Sequence, residues 1–470
     1  MLKKNDEIIN IVCSLGSNGE GIIKHEDYTI FVPYALIGEK IKCKILKVDK
    51  NICYGKLIDI LEPSKDRVKA DCPVFTKCGG CQLQHLKYLS QLEYKKENVK
   101  RTFNKIANLN VEVNKVVCGE KQFRYRNKLQ LPVIETEKGV EIGFYAEKSH
   151  RVIPIEDCLI NPNWTSKIIS TFKKFFEKFK VSAYNQITRK GLVREITVKE
   201  INNSLLIVLV CTKENVPFIE NLIDLLKENL SLDFSFYINV NNSQSNVIYG
   251  ERFIHIYGKT EYIDQMLGVK YLVGPQSFMQ VNKEICEKLY SKVCELASLK
   301  ENTTVIDAYS GAGLMTALLA QKSKKAIGIE IVKEAVDCAN QLLANNALEN
   351  KVKNYCGKCE DLLPQIVKEE KEKGAEIVVV LDPPRKGCDI KVIQSIIENQ
   401  IDKVVYVSCM PSTLARDVGL LTGALEIKNN NIERAINFKE RYKISAIIPF
   451  DMFPQTKHVE TLVCLEKVKW

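Results

Sequence analysis

One segment restricts the fold of this 470-residue chain more than any other: an apolar strand-like run at 305–306 leads directly into a glycine turn at 311–313 and then into a helix-like run. Further strand-like runs follow at 326–330, 377–381, 403–408 and 461–466, and a helix-like run at 333–346 separates the first two of them. Regular alternation of this kind predicts βαβ units and an open, mostly parallel, doubly wound sheet. We therefore expect an α/β Rossmann-like domain over residues 271–470.

The glycine turn predicts a ligand site at the carboxyl end of the first strand. Gly311 and Gly313 let the backbone approach a ligand closely, and Glu330, at the end of the second strand, has a carboxylate that suits the hydroxyls of a ribose. Thr316 stands where the dinucleotide motif G-x-G-x-x-G requires its third glycine. A nucleoside without phosphates is thus favoured, and S-adenosylmethionine fits that description. The alternative is an ordinary strand-to-helix turn beside a surface glutamate.

Three chemically active side chains follow or precede strands of the same predicted sheet. Asp382 begins a rigid Asp-Pro-Pro-Arg loop after one strand, Cys409 follows the next strand, and Glu460 precedes the last strand-like run. Ligands bind at such strand ends. A thiolate that attacks C6 of uracil makes C5 able to accept a methyl group, and a base must then remove the C5 proton. Taken singly, Cys409 is more commonly a buried structural thiol, and Glu460 a surface acid.

The first 65 residues predict a small, OB-like all-β barrel. Short strand-like runs occur at 7–13, 21–24, 29–32, 40–48 and 53–61, and Gly, Asn and Asp break them at close intervals. Lysines alternate with apolar residues there, at positions 24, 40, 42, 44, 47 and 50. These lysines indicate either a solvated strand face or an oligonucleotide-binding surface. Residues 66–270, with helix-like runs near 88–106 and 215–229 among strands, predict a central α+β domain.

Four of the 17 cysteines have spacing that indicates a metal site. Cys72, Cys78 and Cys81 form C-x5-C-x2-C around two glycines, and Cys158 lies far along the chain. Four thiolates suit either zinc or an iron–sulfur cluster, and the spacing does not choose between them. The C-x2-C pair at 356 and 359 has no further partners nearby in the sequence, so we interpret it as structural.

Taken together, these motifs resemble those of RNA 5-methyluridine methyltransferases of the bacterial 23S ribosomal RNA type. The resemblance covers nearly the whole chain. Its N-terminal barrel looks like a TRAM domain, through Gly19-Glu20-Gly21, Phe31-Val32-Pro33 and Gly38-Glu39-Lys40. The remaining motifs are Gln276-Ser277-Phe278-Met279-Gln280-Val281-Asn282, Asp382-Pro383-Pro384-Arg385, Ser408-Cys409-Met410-Pro411 and His458-Val459-Glu460. One departure is Leu314, where some relatives carry a polar residue.

The resemblance assigns roles to particular residues. It implies that Cys409 is the nucleophile and Glu460 the base. Gln280, Tyr309, Glu330 and Asp382 would line the S-adenosylmethionine and uracil sites. It also implies a 4Fe-4S cluster held by Cys72, Cys78, Cys81 and Cys158.

Two other functional classes compete with a uracil methyltransferase. A radical enzyme is disfavoured because its C-x3-C-x2-C motif is absent, and a simple RNA-binding protein does not require Asp382, Cys409 and Glu460 at strand ends.

The net charge of +10 is a modest indication of an RNA partner. We expect 23S ribosomal RNA as the substrate, because the typical bacterial transfer-RNA enzyme lacks the barrel and the cluster. The T-loop uridine of tRNA is the alternative. With no signal-peptide pattern and no long apolar run, we expect a cytoplasmic protein with no membrane attachment and no obligate protein partner.

Overall fold

The computed structural model describes residues 2–137, 139–244, 247–429 and 431–468, and every predicted site residue lies within these ranges. The N-terminal region is a six-stranded sheet in the order β1-β5-β6-β4-β3-β2, which confirms the expected all-β domain. Its strands are β1 (Glu7–Ile11), β2 (Ser14–Leu15), β3 (Gly21–His25), β4 (Tyr28–Val32), β5 (Lys40–Asp49) and β6 (Ile52–Glu62). Along β5, Ile41, Cys43 and Ile45 are buried while the alternate lysines face outward, as the period of two requires.

The central region is a seven-stranded sheet with two helices against one face. Its elements are β7 (Lys128–Thr136), β8 (Gly139–Tyr145), β9 (Val152–Pro154), α2 (Trp164–Phe179), β10 (Val193–Ile201), β11 (Ser204–Cys211), α3 (Ile219–Asn229), β12 (Asp233–Val240) and β13 (Arg252–Tyr257). The strand order is β13-β12-β11-β10-β7-β8-β9, and among the described strands of this sheet only β11 and β12 pair in parallel. Aromatic residues of α2, Phe172 and Phe175 among them, fill the core between helices and sheet.

The C-terminal region is the predicted α/β sheet. It contains β14 (Tyr262–Met266), β15 (Val269–Val273), α4 (Lys283–Ala297), β16 (Thr303–Ala308), α5 (Leu314–Ala320), β17 (Lys325–Glu330), α6 (Lys333–Asn345), β18 (Val352–Cys356), α7 (Cys359–Glu372), β19 (Glu376–Leu381), α8 (Ile390–Glu398), β20 (Lys403–Ser408), α9 (Pro411–Thr422), β21 (Leu425–Lys428), β22 (Asn431–Arg434), β23 (Tyr442–Phe450) and β24 (Glu460–Lys467). The main sheet has the order β18-β17-β16-β19-β20-β24-β23. From β18 to β20 all pairings are parallel, whereas β24 runs antiparallel to β20.

The buried strands explain this arrangement. β19 is an almost unbroken run of branched apolar residues, three of them valines, with helices on both faces of the sheet, and five of its six residues are buried. Apolar residues that do not alternate with polar ones are typical of parallel strands covered on both sides. Two separate apolar clusters, one on each face, confirm a doubly wound sheet.

One helix of the predicted central domain packs against the C-terminal sheet instead. Helix α1 (Tyr88–Ala107) falls within the predicted central domain, yet Val99, Phe103 and Ala107 pack into the core of the C-terminal sheet. The chain after α1 also bonds alongside β23, where Val117 N donates to the carbonyl of Pro449 at 2.8 Å. The segment that follows the cysteine motif is therefore joined to the α/β sheet. The domain boundaries at 65 and 270 stay predictions.

Candidate active site

The glycine turn after β16 is closed by the predicted ribose carboxylate. Glu330 Oε2 accepts a hydrogen bond from Gly311 N at 3.0 Å, and Oε1 accepts from Val332 N at 2.8 Å. Gly313 has φ of +82°, and a Cβ there would lie 2.7 Å from Cβ of Ala339, so the turn requires glycine. Both carboxylate oxygens of Glu330 keep free lone pairs in this orientation. The carboxylate is thus fixed at the carboxyl edge of the sheet and still able to accept bonds from a ligand.

Acidic side chains converge beside this turn. Asp307 is 2% exposed and accepts a hydrogen bond from the Thr316 hydroxyl at 2.5 Å. Burial, together with the nearby charges of Asp382 and Glu330, raises the pKa of Asp307 to about 7. Asp382 is open to solvent along the edge, while protein around the rest of its carboxyl raises its pKa through desolvation. Three neighbouring carboxyls produce a negative potential that favours a cationic ligand.

Gln280 and Tyr309 are the other two residues predicted to line the ligand sites. Gln280 is half-buried, and its backbone carbonyl accepts a bond from Asn127 Nδ2 at 2.9 Å. Tyr309 directly follows β16 with φ of +70°, and its phenol faces the thiols of Cys359 and Cys388. Its ring therefore packs beneath the turn, and its backbone forms the turn itself.

Phe278 lies two residues before Gln280 and is 82% exposed. The sequence around Phe278 is compatible with either a core position or a ligand-facing one, and this exposure excludes the core position. The ring is available for stacking against a planar ligand.

The Asp-Pro-Pro-Arg loop is held against the start of α9. The Thr413 hydroxyl donates to the carbonyl of Arg385 at 3.2 Å, and Arg416 donates to the carbonyls of Lys386 and Cys388. Gly387, with φ of +78°, passes so close that a Cβ would lie 2.6 Å from Arg416 Nη2. This packing brings Arg385 to the residue that follows β20, which is Cys409.

Cys409 stands between opposing charges. It is half-buried and directly precedes Met410, the N-cap of α9. Burial raises the pKa of its thiol, and the negative charges of Glu460 and Asp382 raise it further, whereas the Arg385 guanidinium lowers it. The helix N-terminus and Arg385 are the two features that favour a thiolate here. The ionisation of this thiol thus depends on Arg385.

Glu460 reaches the same edge because β24 runs antiparallel. Ser408, the last residue of β20, pairs with Thr461, so the start of β24 lies beside the end of β20. Glu460 is 5% exposed, and burial together with the charge of Asp382 raises the pKa of its carboxyl well above the usual range. The structure thus brings Cys409, Glu460 and Asp382 together as the sequence predicted.

Two functional groups are not evident from the sequence alone. Arg385 belongs to the Asp-Pro-Pro-Arg motif, but its effect on Cys409 depends on how the loop folds back and has no local signal. Asp307 resembles an ordinary strand residue in the sequence, although a carboxyl at the end of a buried strand is a signal that could have been used.

The four predicted ligand cysteines gather on one cavity of about 240 Å³. The charge of Cys158 raises the pKa of the thiols of Cys72, Cys78 and Cys81. Cys158 therefore lies close to the other three cysteines in the fold, although it is distant in the sequence. Arg126 and Lys128 also line the cavity. Among the residues that the structure describes, no three His, Cys, Asp or Glu side chains are arranged to hold a single metal ion. Cys356 is exposed and Cys359 buried, which is consistent with the structural interpretation of that pair.

The helices of the protein are short or amphipathic. Within the described part of the chain, none has the length and apolar character needed to cross a bilayer.

Comparisons with known proteins agree with this architecture. A profile of the tRNA (uracil-5-)-methyltransferase family matches residues 87–468, and a TRAM domain profile matches residues 11–58. An "uncharacterized RNA methyltransferase" of Clostridium tetani is 40% identical over 470 residues, covering 99% of this chain and 97% of its own. One of Listeria monocytogenes is 38% identical, with 99% and 98% covered.

A solved structure also matches over nearly the full length. It is that of a Pyrococcus abyssi tRNA (uracil-54, C5)-methyltransferase in complex with S-adenosyl-L-homocysteine. The TM-score is 0.75 at 27% identity, and the match covers 97% of this chain and 100% of that chain.

Proposed function

Because this chain belongs to the tRNA (uracil-5-)-methyltransferase family, we propose that it methylates C5 of a uridine in 23S ribosomal RNA, with S-adenosylmethionine as donor and Cys409 as nucleophile. The observation that carries the mechanism is the pairing of Ser408 with Thr461, which sets a thiol and a buried carboxylate side by side at one sheet edge.

The chemistry follows from what each group can do. Cys409 Sγ forms a bond to C6 of uracil, and the electron pair of the C5–C6 double bond becomes available at C5. C5 takes the methyl group from the sulfonium, and S-adenosylhomocysteine leaves. Glu460 then removes the C5 proton, the double bond re-forms, and the thiolate departs. The raised pKa of Glu460 supports this role because the carboxyl ends the step protonated.

The donor site is supported by charge and shape. S-adenosylmethionine carries a positive sulfonium, and its product has lost that charge. The carboxyl groups of Asp307, Glu330 and Asp382 therefore favour binding of S-adenosylmethionine over S-adenosylhomocysteine. The contact of Glu330 with the glycine turn supports its proposed role as a ribose partner. Leu314, the first residue of α5, offers no polar side-chain contact there.

We further propose that the four cysteines hold a 4Fe-4S cluster. A cubane binds each thiolate to a different iron, so its ligands surround a wider space than those of one zinc ion, and a cavity lined by all four cysteines suits it. The positive charges of Arg126 and Lys128 suit an anionic cluster. The cluster would tie residues 72–81 to residue 158. No step of the methyl transfer requires it.

The T-loop uridine of tRNA is the second candidate substrate. The Pyrococcus abyssi protein is a tRNA enzyme whose whole length is matched by this chain. The full-length match weakens the argument that the barrel favours ribosomal RNA, although the cysteines still support the first proposal.

A covalent trap tests mechanism and substrate together. Transcripts of 23S RNA segments and of tRNA that contain 5-fluorouridine should form a denaturation-resistant adduct, because fluorine cannot leave as a proton. Cys409→Ala should form none while still binding donor. Glu460→Gln on ordinary RNA should accumulate a methylated adduct. If the wild-type protein forms no adduct with either RNA, the covalent mechanism is wrong, and an adduct with tRNA alone would replace the ribosomal substrate.

A further inference from the structure

The segment that carries Glu460 is held by contacts from outside the α/β domain. Residues 451–459 connect β23 to β24, and in their midst Gln455 is 3% exposed with φ of +70°. A residue other than glycine keeps such a conformation only when its surroundings impose it. The surroundings here are the cysteine-rich segment: the carbonyl of Gln455 accepts bonds from Gln82 N at 3.2 Å and Leu83 N at 3.0 Å.

Gln91 of α1 joins the same two segments with its side chain. Its Nε2 donates to the carbonyls of Leu83 and Leu86 and to Oε1 of Gln455, at 2.8 to 3.1 Å. Its Oε1 accepts from Gln455 N at 3.1 Å. Gln91 is 1% exposed, so breaking these bonds would leave buried polar groups without water or another partner, which is unfavourable.

A third contact extends the link to the cysteines themselves. Gln82 directly follows Cys81; its Oε1 accepts from Lys457 N at 3.3 Å, and its Nε2 donates to the carbonyl of Gly79 at 2.8 Å. Lys457 is three residues before Glu460. A continuous set of buried and half-buried bonds thus runs from the turn between Cys78 and Cys81 to the segment that presents the base.

We infer that Gln91 and Gln82 are positioning residues through which the cysteine-rich segment 78–83 sets the placement of Glu460, and hence the rate of C5 proton removal. This inference rests on the proposed function and deepens it. It gives the cysteine segment a catalytic consequence without any electron transfer. Within the described residues, no hydrogen bond joins Cys409 or the glycine turn after β16 to Gln82, Gln91 or Gln455, so formation of the covalent adduct should be nearly independent of this link.

The test separates two steps of one turnover. Gln91→Met, in the full-length protein, keeps the side-chain length and removes every bond of the amide. In single-turnover reactions with ordinary RNA, the adduct should form within about twofold of the wild-type rate. Its resolution should slow by roughly tenfold or more, since misplacing a catalytic group by about 1 Å costs up to about 100-fold. Faster amide hydrogen exchange over residues 451–460 should accompany the change.

Asn239→Leu is the matched control, because Asn239 is also fully buried and its amide bonds the carbonyls of Gly250 and Arg252 in the central sheet. It should lower stability without slowing resolution. Gln82→Ala, at a half-buried site, provides a variant that folds even if Gln91→Met does not, and should slow resolution in the same way. If both folded variants, or Gln82→Ala alone where Gln91→Met is unfolded, resolve the adduct at the wild-type rate, the inference is overturned. If the wild type itself forms no 5-fluorouridine adduct, it is the proposed function that fails.

Discussion

Arg385 is the residue on which the reactivity of Cys409 depends. Burial and two neighbouring carboxyls disfavour the thiolate, and the Arg385 guanidinium opposes them. Arg385 itself is exposed, so it can also meet a phosphate of bound RNA. The ionisation of the proposed nucleophile, Cys409, is therefore coupled to a group that bound RNA can reach.

Replacing Arg385 with Gln should raise the pKa of Cys409, because the charge that lowers this pKa is removed. Below the pKa, each unit of increase reduces the thiolate fraction about tenfold. Alkylation of Cys409 by iodoacetamide, followed by peptide mass spectrometry across pH, should show a midpoint moved to higher pH. Lys386→Gln removes a neighbouring exposed charge and should leave the midpoint nearly in place, because Arg385 is the cation that lowers the pKa of Cys409. A midpoint equal to wild type in both variants would contradict the role of Arg385.

For single residues, the sequence predicted where a side chain lies in the fold better than it predicted its burial or its pKa. Cys409 and Asp382 could be placed at one edge because both follow parallel strands. Glu460 begins its strand and reaches that edge only because β24 runs antiparallel, which the sequence pattern did not indicate. The pKa of Glu460 could not be predicted, since its burial and its proximity to Asp382 arise from tertiary packing. Phe278 shows the same limit: the sequence favours a ligand-facing position only slightly over a core one, and only the fold shows it exposed.

Among the elements, the loop from Asp382 to Cys388 depends on a single glycine with a positive φ, Gly387. Gly387→Ala should destabilise the protein by about 1–3 kcal/mol for the positive φ alone, with a further penalty from the clash with Arg416 and Asp417. Gly374→Ala is the matched control, because Gly374 has φ of +75° with nothing within 4 Å of its Cβ position. Urea denaturation should show the larger decrease in stability at Gly387, and adduct formation should fall only there. Equal decreases in the two variants would mean that the close approach is unimportant.

The cysteine segment and the loop after β9 should be joined by the metal. Purified without oxygen, the protein should be brown and contain about four irons per chain. Cys158→Ser should lose most of the iron and colour, because this cysteine is the only one of the four outside the 72–81 segment. Cys356→Ser, at an exposed thiol away from the cavity, should keep both. Stoichiometric zinc in a colourless wild-type protein would contradict the cluster.

Elements with strong local signals were predicted closely, and the exception is instructive. The β-branched run of β19 and the alternation in β5 were each placed within two residues of the observed strands. Helix α1 was also found, but its partner was not: chain position suggested the central domain, whereas Phe103 and Ala107 pack into the α/β core. A helical pattern identifies an apolar face without saying which sheet covers it.

In the molecule as a whole, the TRAM barrel packs against α1 and the segment that precedes it. Leu15 and Leu36 of the barrel region pack with Leu83, Leu86 and Tyr94, and the Tyr94 hydroxyl donates to the carbonyl of Gly16 at 3.0 Å. Deleting residues 1–65 would uncover this apolar cluster beside α1. Substitutions of charge are therefore the cleaner way to test whether the barrel binds RNA.

The lysines that alternate along the barrel are not equivalent. Lys40 and Lys42 form ion pairs with Glu62 and Glu7, so part of the positive charge counted in the sequence is already neutralised. Lys24 and Lys50 are exposed, and no carboxylate among the described residues pairs with them. The same sheet carries the stacked and partly exposed rings of Phe31 and Tyr54, whose centroids are 6.0 Å apart. Accessible aromatic rings on a surface with unpaired cations are the combination that binds single-stranded RNA.

Replacing both Lys24 and Lys50 with Gln should weaken RNA binding and flatten its dependence on salt, because fewer counterions are released when the complex forms. The slope of log Kobs against log salt should become shallower by about 0.7 to 0.9 for each phosphate that the variant no longer neutralises. Replacing Lys40 and Lys42 removes the same formal charge but only from ion pairs, and it should change the slope less. Filter binding over a salt series measures both the RNA affinity and its salt slope. Donor affinity should stay constant, because the glycine turn proposed to bind the donor lies in the α/β domain. Equal slopes in all three proteins would assign RNA binding to the remaining domains and leave the barrel as a structural cover for α1.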